Sequence, residues 1–316
     1  MKKRWISILI CAACLLGVVG AILSVKTDTK VAICYRQADS VWDRQFRTEL
    51  EAAMQEAGYK LEVADARNDQ SLQLQQIDTM IAAGCTLLLV DPVMVAEAQT
   101  IADKAKQANV PVLFIGHQPA RTVLDSWERL SFVGCDPEQA GVLQAQMVLD
   151  LPNRGDVNGD GELACIVIQG PTEYLDSTLR TESCLRTLIN ANVQVTVLET
   201  VSGDWTLEGG KKAAEQLLRK YGMDIEVILC NNDLMAAGAA KAVSDGGWTA
   251  GKDLYLYGIG AEGNALTLLH QGMISGTVLE DVPAQIAKIT QTADLLLRKK
   301  TVEKENVIAY LTEKAP

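Results

Sequence analysis

Asp156, Asn158, Asp160, Gly161 and Glu162 stand in the stretch DVNGDGELA at the spacing of the first half of a calcium loop. An EF-hand loop takes oxygen ligands at positions one, three, five, seven and nine, turns on a glycine at six, and closes with a bidentate Glu at twelve. The twelfth residue here is Val167, inside the apolar run ACIVI, and it can coordinate nothing. Position nine is Ala164, a place that water often fills. The loop therefore predicts Ca2+ held by Asp156, Asn158, Asp160 and the backbone carbonyl of Glu162, with its closing acid still to be found. The donors are all oxygen and no Cys or His gathers beside them, which disfavours zinc. A polar Asx-Gly turn ahead of a strand is the alternative reading.

A second set of residues carries binding chemistry of another kind. Asp39, Trp42, Gly116 and His117 follow apolar runs in the first half of the chain; Tyr174, Asp176, Arg180, Trp205 and Asn232 follow such runs in the second. Carboxylates accept hydroxyl hydrogens, Arg and Asn donate, and an aromatic face covers the C–H side of a sugar ring. The set suits a polyhydroxyl ligand. Each member also has a structural reading: Trp as core packing, Asp176 with Arg180 as an i,i+4 ion pair, Asn232 with Asp233 as a helix cap.

What would position these residues is a repeated strand–helix rhythm. Short runs rich in Val, Ile and Leu begin at Val31, Leu61, Thr86, Pro111 and Ser131, and again at Ala164, Val193, Glu226, Leu254 and Gly276. Amphipathic segments such as FRTELEAAMQEAG lie between them, which predicts parallel strands with crossover helices. Two sets of five imply two doubly wound α/β lobes with a cleft between them. Ligands of open α/β sheets gather beyond the carboxyl ends of the strands, where the second set of residues falls. In a 2-1-3-4-5 strand order the first and third strands are neighbours. In the second lobe these are ACIVI and EVILC, whose starting ends share one edge. The loop before the first and Glu226 at the start of the third would then meet, so Glu226 is expected to supply the missing acid.

Composition and the chain's start bound the remaining possibilities. Net charge is −11, from 29 Lys and Arg against 40 Asp and Glu, and no basic cluster follows the first few residues, so nucleic acid is not an expected partner. After MKKRW, an uncharged run of about twenty residues reaches Lys26, long enough to span a bilayer with its start in the cytoplasm. Residues 1–26 are thus expected to be an N-terminal membrane anchor or signal segment. The chain would lie on the outer face of the cytoplasmic membrane, or be secreted or periplasmic if that segment is cleaved. Of the eight cysteines, two lie in that segment and none of the other six forms a Cys-x-x-Cys pair, so those six are expected as reduced core residues. With two histidines, no Gly-x-Ser-x-Gly elbow and no phosphate-binding glycine loop, an enzyme is not expected; Asp176 with Glu280 is the one glycosidase-like pair imaginable. A sugar-responsive transcription regulator would need a helix-turn-helix where the apolar segment stands.

From about Lys30 onward the chain resembles the periplasmic sugar-binding proteins of bacterial ABC transporters, in particular those for galactose and glucose. The resemblance rests on NDQSLQLQQID from Asn68, QANVPVLF from Gln107, DVNGDGE from Asp156, IEVILCNNDLMAAGA from Ile225 and GTVLEDVPAQ from Gly276. It implies a type I periplasmic binding fold, with lobe 1 at 30–134 plus 280–304, lobe 2 at 135–279 plus 305–316, and three hinge strands that let the lobes close on a monosaccharide. It also implies a structural Ca2+ bound by the loop and the Glu at 226. Asp39, Asp176, Arg180 and Asn232 match residues that hydrogen-bond the sugar, Trp205 matches a stacking tryptophan, and Trp42 matches a stacking phenylalanine. Tyr174 stands for a histidine; Gly116, Gly260 and Glu280 stand for the hydroxyl-binding Asn, Asp and Asn. His117 is the candidate to compensate. The implied partner is an ABC permease for a monomeric binding protein, or, for a membrane-tethered sensor, a chemotaxis or two-component receptor.

Overall fold

The computed structural model describes residues 29–37, 41–172, 174–260 and 264–315, with the backbone alone at 41–43. The chain divides into two units, Phe46–Val133 and Ile286–Asn306 together with the first strand, and Gly134–Gln285 with Val307–Pro316 and the short stretch that ends at Gln45, so that the first turn of the helix after the first strand is grouped with the second unit. Against the expected boundaries, the crossings fall at 133/134, 285/286 and 306/307 rather than 134/135, 279/280 and 304/305. The shift at the second crossing follows from Gln285, which is buried and donates to Glu280 Oε2 at 3.2 Å, so the first residues of its helix stay with the second unit. At the third, the Asn306 amide donates to Phe132 O at 2.9 Å and Ser131 Oγ at 3.1 Å, which keeps it with the first.

The first unit holds β1 (Lys30–Tyr35), α1 (Val41–Glu56), β2 (Lys60–Asp65), α2 (Gln70–Ala82), β3 (Leu87–Val90), α3 (Ala98–Gln107), β4 (Val112–Ile115), α4 (Arg121–Asp125) and β5 (Leu130–Cys135). The second holds α5 (Pro137–Leu149), β6 (Leu163–Gln169), α6 (Leu175–Asn190), β7 (Val195–Ser202), α7 (Leu207–Tyr221), β8 (Val227–Cys230), α8 (Asp233–Asp245), β9 (Tyr255–Gly260), α9 (Ala265–His270) and β10 (Gly276–Leu279). Helix α10 (Val282–Leu297) and strands β11 (Glu305–Ile308) and β12 (Leu311–Lys314) complete the chain. Sheet order is β11-β5-β4-β3-β1-β2 in one unit and β12-β10-β9-β8-β6-β7 in the other. All ten expected strands form, and both sheets have the 2-1-3-4-5 order. β11 and β12 were not foreseen, because ENVI and LTEK are short edge segments without a buried apolar run.

The central strands are apolar on both faces, as LLLV in β3 and VLFI in β4 are, because helices cover both sides of a parallel sheet. Helix starts are written into the sequence. Asp69 accepts from Leu72 N at the start of α2, Asp136 from Glu138 N with Pro137 following, and Thr206 from Gly209 N. Cys34, Cys85, Cys135, Cys165, Cys184 and Cys230 are all buried and unpaired, in keeping with the core reading. Burial pushes the thiols up, Cys34 and Cys165 to about 12 and Cys85 to about 11, so they stay protonated and inert at neutral pH. The expected membrane segment at 1–26 lies outside the described residues; none of the described helices is long and apolar enough to cross a membrane.

Candidate functional site

In the first unit the carboxyl ends of β1, β3 and β4 bring together three polar side chains. His117 Nδ1 lies 2.6 Å from Asp91 Oδ1, and Arg36 Nε lies 4.0 Å from Asp91 Oδ2. Gln73 of α2 holds the Asp91 loop, donating to Asp91 O at 2.7 Å and accepting from Val93 N at 2.9 Å. Gly116 has φ +70, and a Cβ there would fall 2.9 Å from Asp91 Oδ1. Glycine at that position thus leaves room for the His117–Asp91 contact, a physical reason for the missing amide. Beside them the Tyr35 hydroxyl is buried without a hydrogen-bond partner among the described residues, and the Arg47 guanidinium lies 4.9 Å from the ring centre. Asp39 lies outside the described residues, as does the Trp42 side chain. Arg36 and Asp91 went unnoticed in the sequence; their address just after β1 and β3 was the available signal.

The second unit gathers its set around Arg180. This side chain is 9% exposed. Its Nη1 donates to Asn231 O at 2.8 Å and its Nη2 to Tyr310 Oη at 3.5 Å. Nη2 also lies 3.7 Å from Glu280 Oε1, and the guanidinium carbon lies 5.9 Å from the Trp205 ring centre. Helix α6 provides the frame: Tyr174 is its N-cap residue, Asp176 lies in its first turn, and Arg180 comes one turn later. Trp205 adopts φ +59, a left-handed conformation uncommon for a bulky residue. Its ring covers Gly170, where a Cβ would come within 2.1 Å of the indole. Burial, with the charges of Glu280 and Asp176, holds the Tyr310 phenol well above its usual range, and Arg180 opposes them.

Asn232 is the N-cap of α8, as its structural reading predicted. Its Oδ1 accepts from Met235 N at 3.0 Å while its Nδ2 donates to Trp205 O at 3.4 Å. Asp233 is fully buried and accepts the Thr277 hydroxyl at 2.8 Å. Gly260 has φ +117, which explains glycine in place of a side chain that could bind a hydroxyl. Two residues that sequence reasoning missed organise the cluster. Asn231, 1% exposed, accepts from Gly170 N at 3.2 Å and donates to Thr181 Oγ1 at 3.0 Å. Tyr310 arrives from the chain's last segment, which carried no strand signal. Arg180, Trp205 and Glu280 are thus brought to one place, Asn232 adjoins Trp205, and Asp176 lies close enough to Tyr310 to act on its phenol.

At the opposite edge of the same sheet, Glu226 does meet the Asp156–Ala164 loop. It is 1% exposed. Its Oε1 accepts from Val157 N at 2.6 Å and Asn158 N at 2.9 Å, and its Oε2 from Ala164 N at 2.9 Å. The pairing of β6 with β8, Cys165 opposite Val227, makes this meeting possible. Within the loop, Asp156 accepts from Gly159 N and Gly161 N, Asn158 Oδ1 from Asp160 N, and Asp160 Oδ1 from Glu162 N. Gly161, at the sixth position, has φ +92. The Glu162 carboxylate is taken by Gln194 and Thr196, leaving only its carbonyl for the loop. The donors are those a hard cation takes, and each carboxylate keeps lone pairs beyond its backbone bonds. Among the described residues, however, no three His, Cys, Asp or Glu side chains converge closely enough to hold a metal.

Comparison with known proteins places the fold. Residues 31–301 match the family model of the periplasmic binding protein domain. The D-galactose/methyl-galactoside binding periplasmic protein of Haemophilus influenzae is 30% identical over 306 residues, 95% of this chain and 91% of that protein. A putative rhizopine-binding protein of Rhizobium meliloti is 25% identical, with 86% of each chain covered. Among solved structures, an ABC transporter solute binding protein from Bacillus halodurans with bound myo-inositol superposes with TM-score 0.79 at 21% identity, over 92% of this chain and 96% of that one. One from Actinobacillus succinogenes with bound D-allose gives TM-score 0.80 at 17% identity, over 91% and 98%. At such identities these two speak for the fold alone.

Proposed function

The chain belongs to the periplasmic binding protein family, and from that premise we propose that it is an extracytoplasmic solute-binding protein that captures a monosaccharide for an ABC permease. It is not an enzyme: the family binds and releases solute without chemistry. The observation that carries the sugar reading is the convergence on Arg180 of Trp205, Glu280 and Tyr310 at the carboxyl end of the second sheet. An aromatic face beside a buried guanidinium and a carboxylate recognises the two sides of a pyranose, C–H and hydroxyl. Galactose and glucose are the first candidates, given the Haemophilus relative's name. Other relatives are named for ribose and for galactofuranose, so pentoses and furanoses belong in the test.

The test is thermal unfolding of the purified protein against a panel of hexoses, pentoses and cyclitols. A ligand that binds only the folded state at about a hundred times its Kd adds roughly 2.7 kcal/mol, a rise of about 5 °C or more for a protein of this size. We expect one class to give that rise and Arg180→Lys to abolish it. No rise with any sugar at millimolar concentration would exclude the reading.

We further propose that the Asp156–Ala164 loop and Glu226 hold a calcium ion. What supports this is the arrival of Glu226, 1% exposed, at a loop whose other donors are Asp156, Asn158 and Asp160. Bound there, calcium would tie the loop before β6 to the start of β8, a structural clamp with no part in recognition.

A further inference from the structure

In the first unit a groove of about 450 Å³ lies between α10 and the segment that leads from Thr301 into β11, flanked by Arg121 of α4. Its lining is separate from the Asp91 cluster and from the set around Arg180. The volume is within the usual range of small-ligand sites.

Charge matching inside it is uneven. Arg121 is satisfied, with Nε 3.0 Å from Asp125 Oδ1 and Nη1 3.5 Å from Glu305 Oε2. Lys288 and Lys304 are not: among the described residues neither ammonium meets a carboxylate within salt-bridge distance. The Lys304 Nζ turns instead to the main-chain carbonyls of Trp127 at 2.6 Å and Leu130 at 3.2 Å. These satisfy two of its three donors without pairing its charge, and burial lowers its pKa although the charges of Asp125 and Glu128 oppose the shift, a sign that the charged form is desolvated. Thr292, 2% exposed, also lines the groove, and its hydroxyl has no hydrogen-bond partner among the described residues. A hydroxyl without a partner in the wall of a groove is free to donate to a ligand there.

We propose that this groove binds a small oxyanion, a carboxylate or a single phosphate group, with Lys288 and Lys304 supplying charge and Thr292 a hydroxyl donor. The carboxylates of Glu303 and Glu305 share the lining and would repel a polyanion, which limits the ligand to one compact anionic group. The protein carries net charge −11, so two ammonium groups that meet no carboxylate within ion-pair distance oppose its overall field. The groove adjoins the segment in which the chain passes from one unit to the other at Asn306.

The experiment is calorimetric titration of the full chain with sodium phosphate and, separately, sodium lactate, ionic strength held constant with sodium chloride. We expect saturable binding of at least one, with the responding arm telling phosphate from carboxylate. Losing a charge-assisted contact should weaken it about tenfold in Lys288→Gln, and Thr292→Val should weaken it by less. Among the described residues the Lys288 ammonium makes no hydrogen bond or ion pair that its loss would break, so the unliganded melting temperature of Lys288→Gln should stay close to that of the parent. No binding of either anion at tens of millimolar, or equal binding by Lys288→Gln, would overturn the proposal.

Discussion

Glu226 shows how much one buried carboxylate can organise. Its two oxygens close a loop whose own sequence lacks the closing residue, by accepting three main-chain N–H groups. Replacing it with Gln turns an acceptor-only group into one whose –NH2 faces N–H donors. With a buried donor left unmatched, Glu226→Gln should cost about 2 to 3 kcal/mol in urea unfolding, calcium or none. The metal reading makes a separate demand. EGTA should lower the unfolding midpoint of the parent and leave that of Glu226→Gln unchanged; a parent indifferent to EGTA sinks the calcium proposal while leaving the hydrogen-bonded clasp intact. Ala164 contributes no side-chain oxygen, so weak affinity and a water in that coordination place are expected.

At the scale of elements, the loop ends of β6 and β7 explain why an aromatic can stand where it does. Trp205 lies in a left-handed turn before α7, and its ring occupies the space that a side chain at position 170 would need. Gly170→Ala would force the indole to move by an ångström or more. Overpacking of this kind costs about 1 to 3 kcal/mol, and here it should also shift the tryptophan emission and weaken whatever stacks on Trp205. An unchanged melting temperature and emission spectrum would mean that the ring is not seated on Gly170. Asn231 is the matching device on α6's side, joining Gly170 N, Thr181 and, through its carbonyl, Arg180. One asparagine thereby positions both the strand end and the guanidinium.

Taken whole, the molecule keeps its six described thiols inside two cores, and its sequence carries a net charge of −11. Burial raises the pKa of Cys34 and Cys165 from 9.0 to about 12 and that of Cys85 to about 11. The unfolded chain therefore loses these protons before the folded one does. The stability these thiols contribute is fully present below pH 9 and falls as pH rises from there toward 12. The tyrosines at 35, 257 and 310, raised by burial, act in the same direction, and Lys304, lowered by burial, acts against them. The urea midpoint should be lower at pH 10.5 than at pH 8, and a thiol reagent at pH 8 should leave these six cysteines unmodified until denaturant is added. Rapid labelling of the native core would contradict the burial.

The ten core strands and the order of both sheets were legible in the sequence because each strand is a short, continuous apolar run bounded by amphipathic helix. That pattern has one satisfactory packing, a parallel sheet covered on both faces. The strand-end rule then located Tyr174, Asp176, Arg180, Trp205 and Asn232, and neighbouring strand starts located Glu226 beside the loop. What the tertiary structure alone decided is which side chains meet there. Tyr310 reaches Arg180 from a terminal segment with no periodic signal, and Asp91 reaches His117 because Gly116 leaves the space. Asn232 caps a helix, as its structural reading has it, while its amide donates to Trp205 O. Periodicity reports which face of an element is buried, one element at a time; the distances among side chains from different elements exist only once those elements are packed.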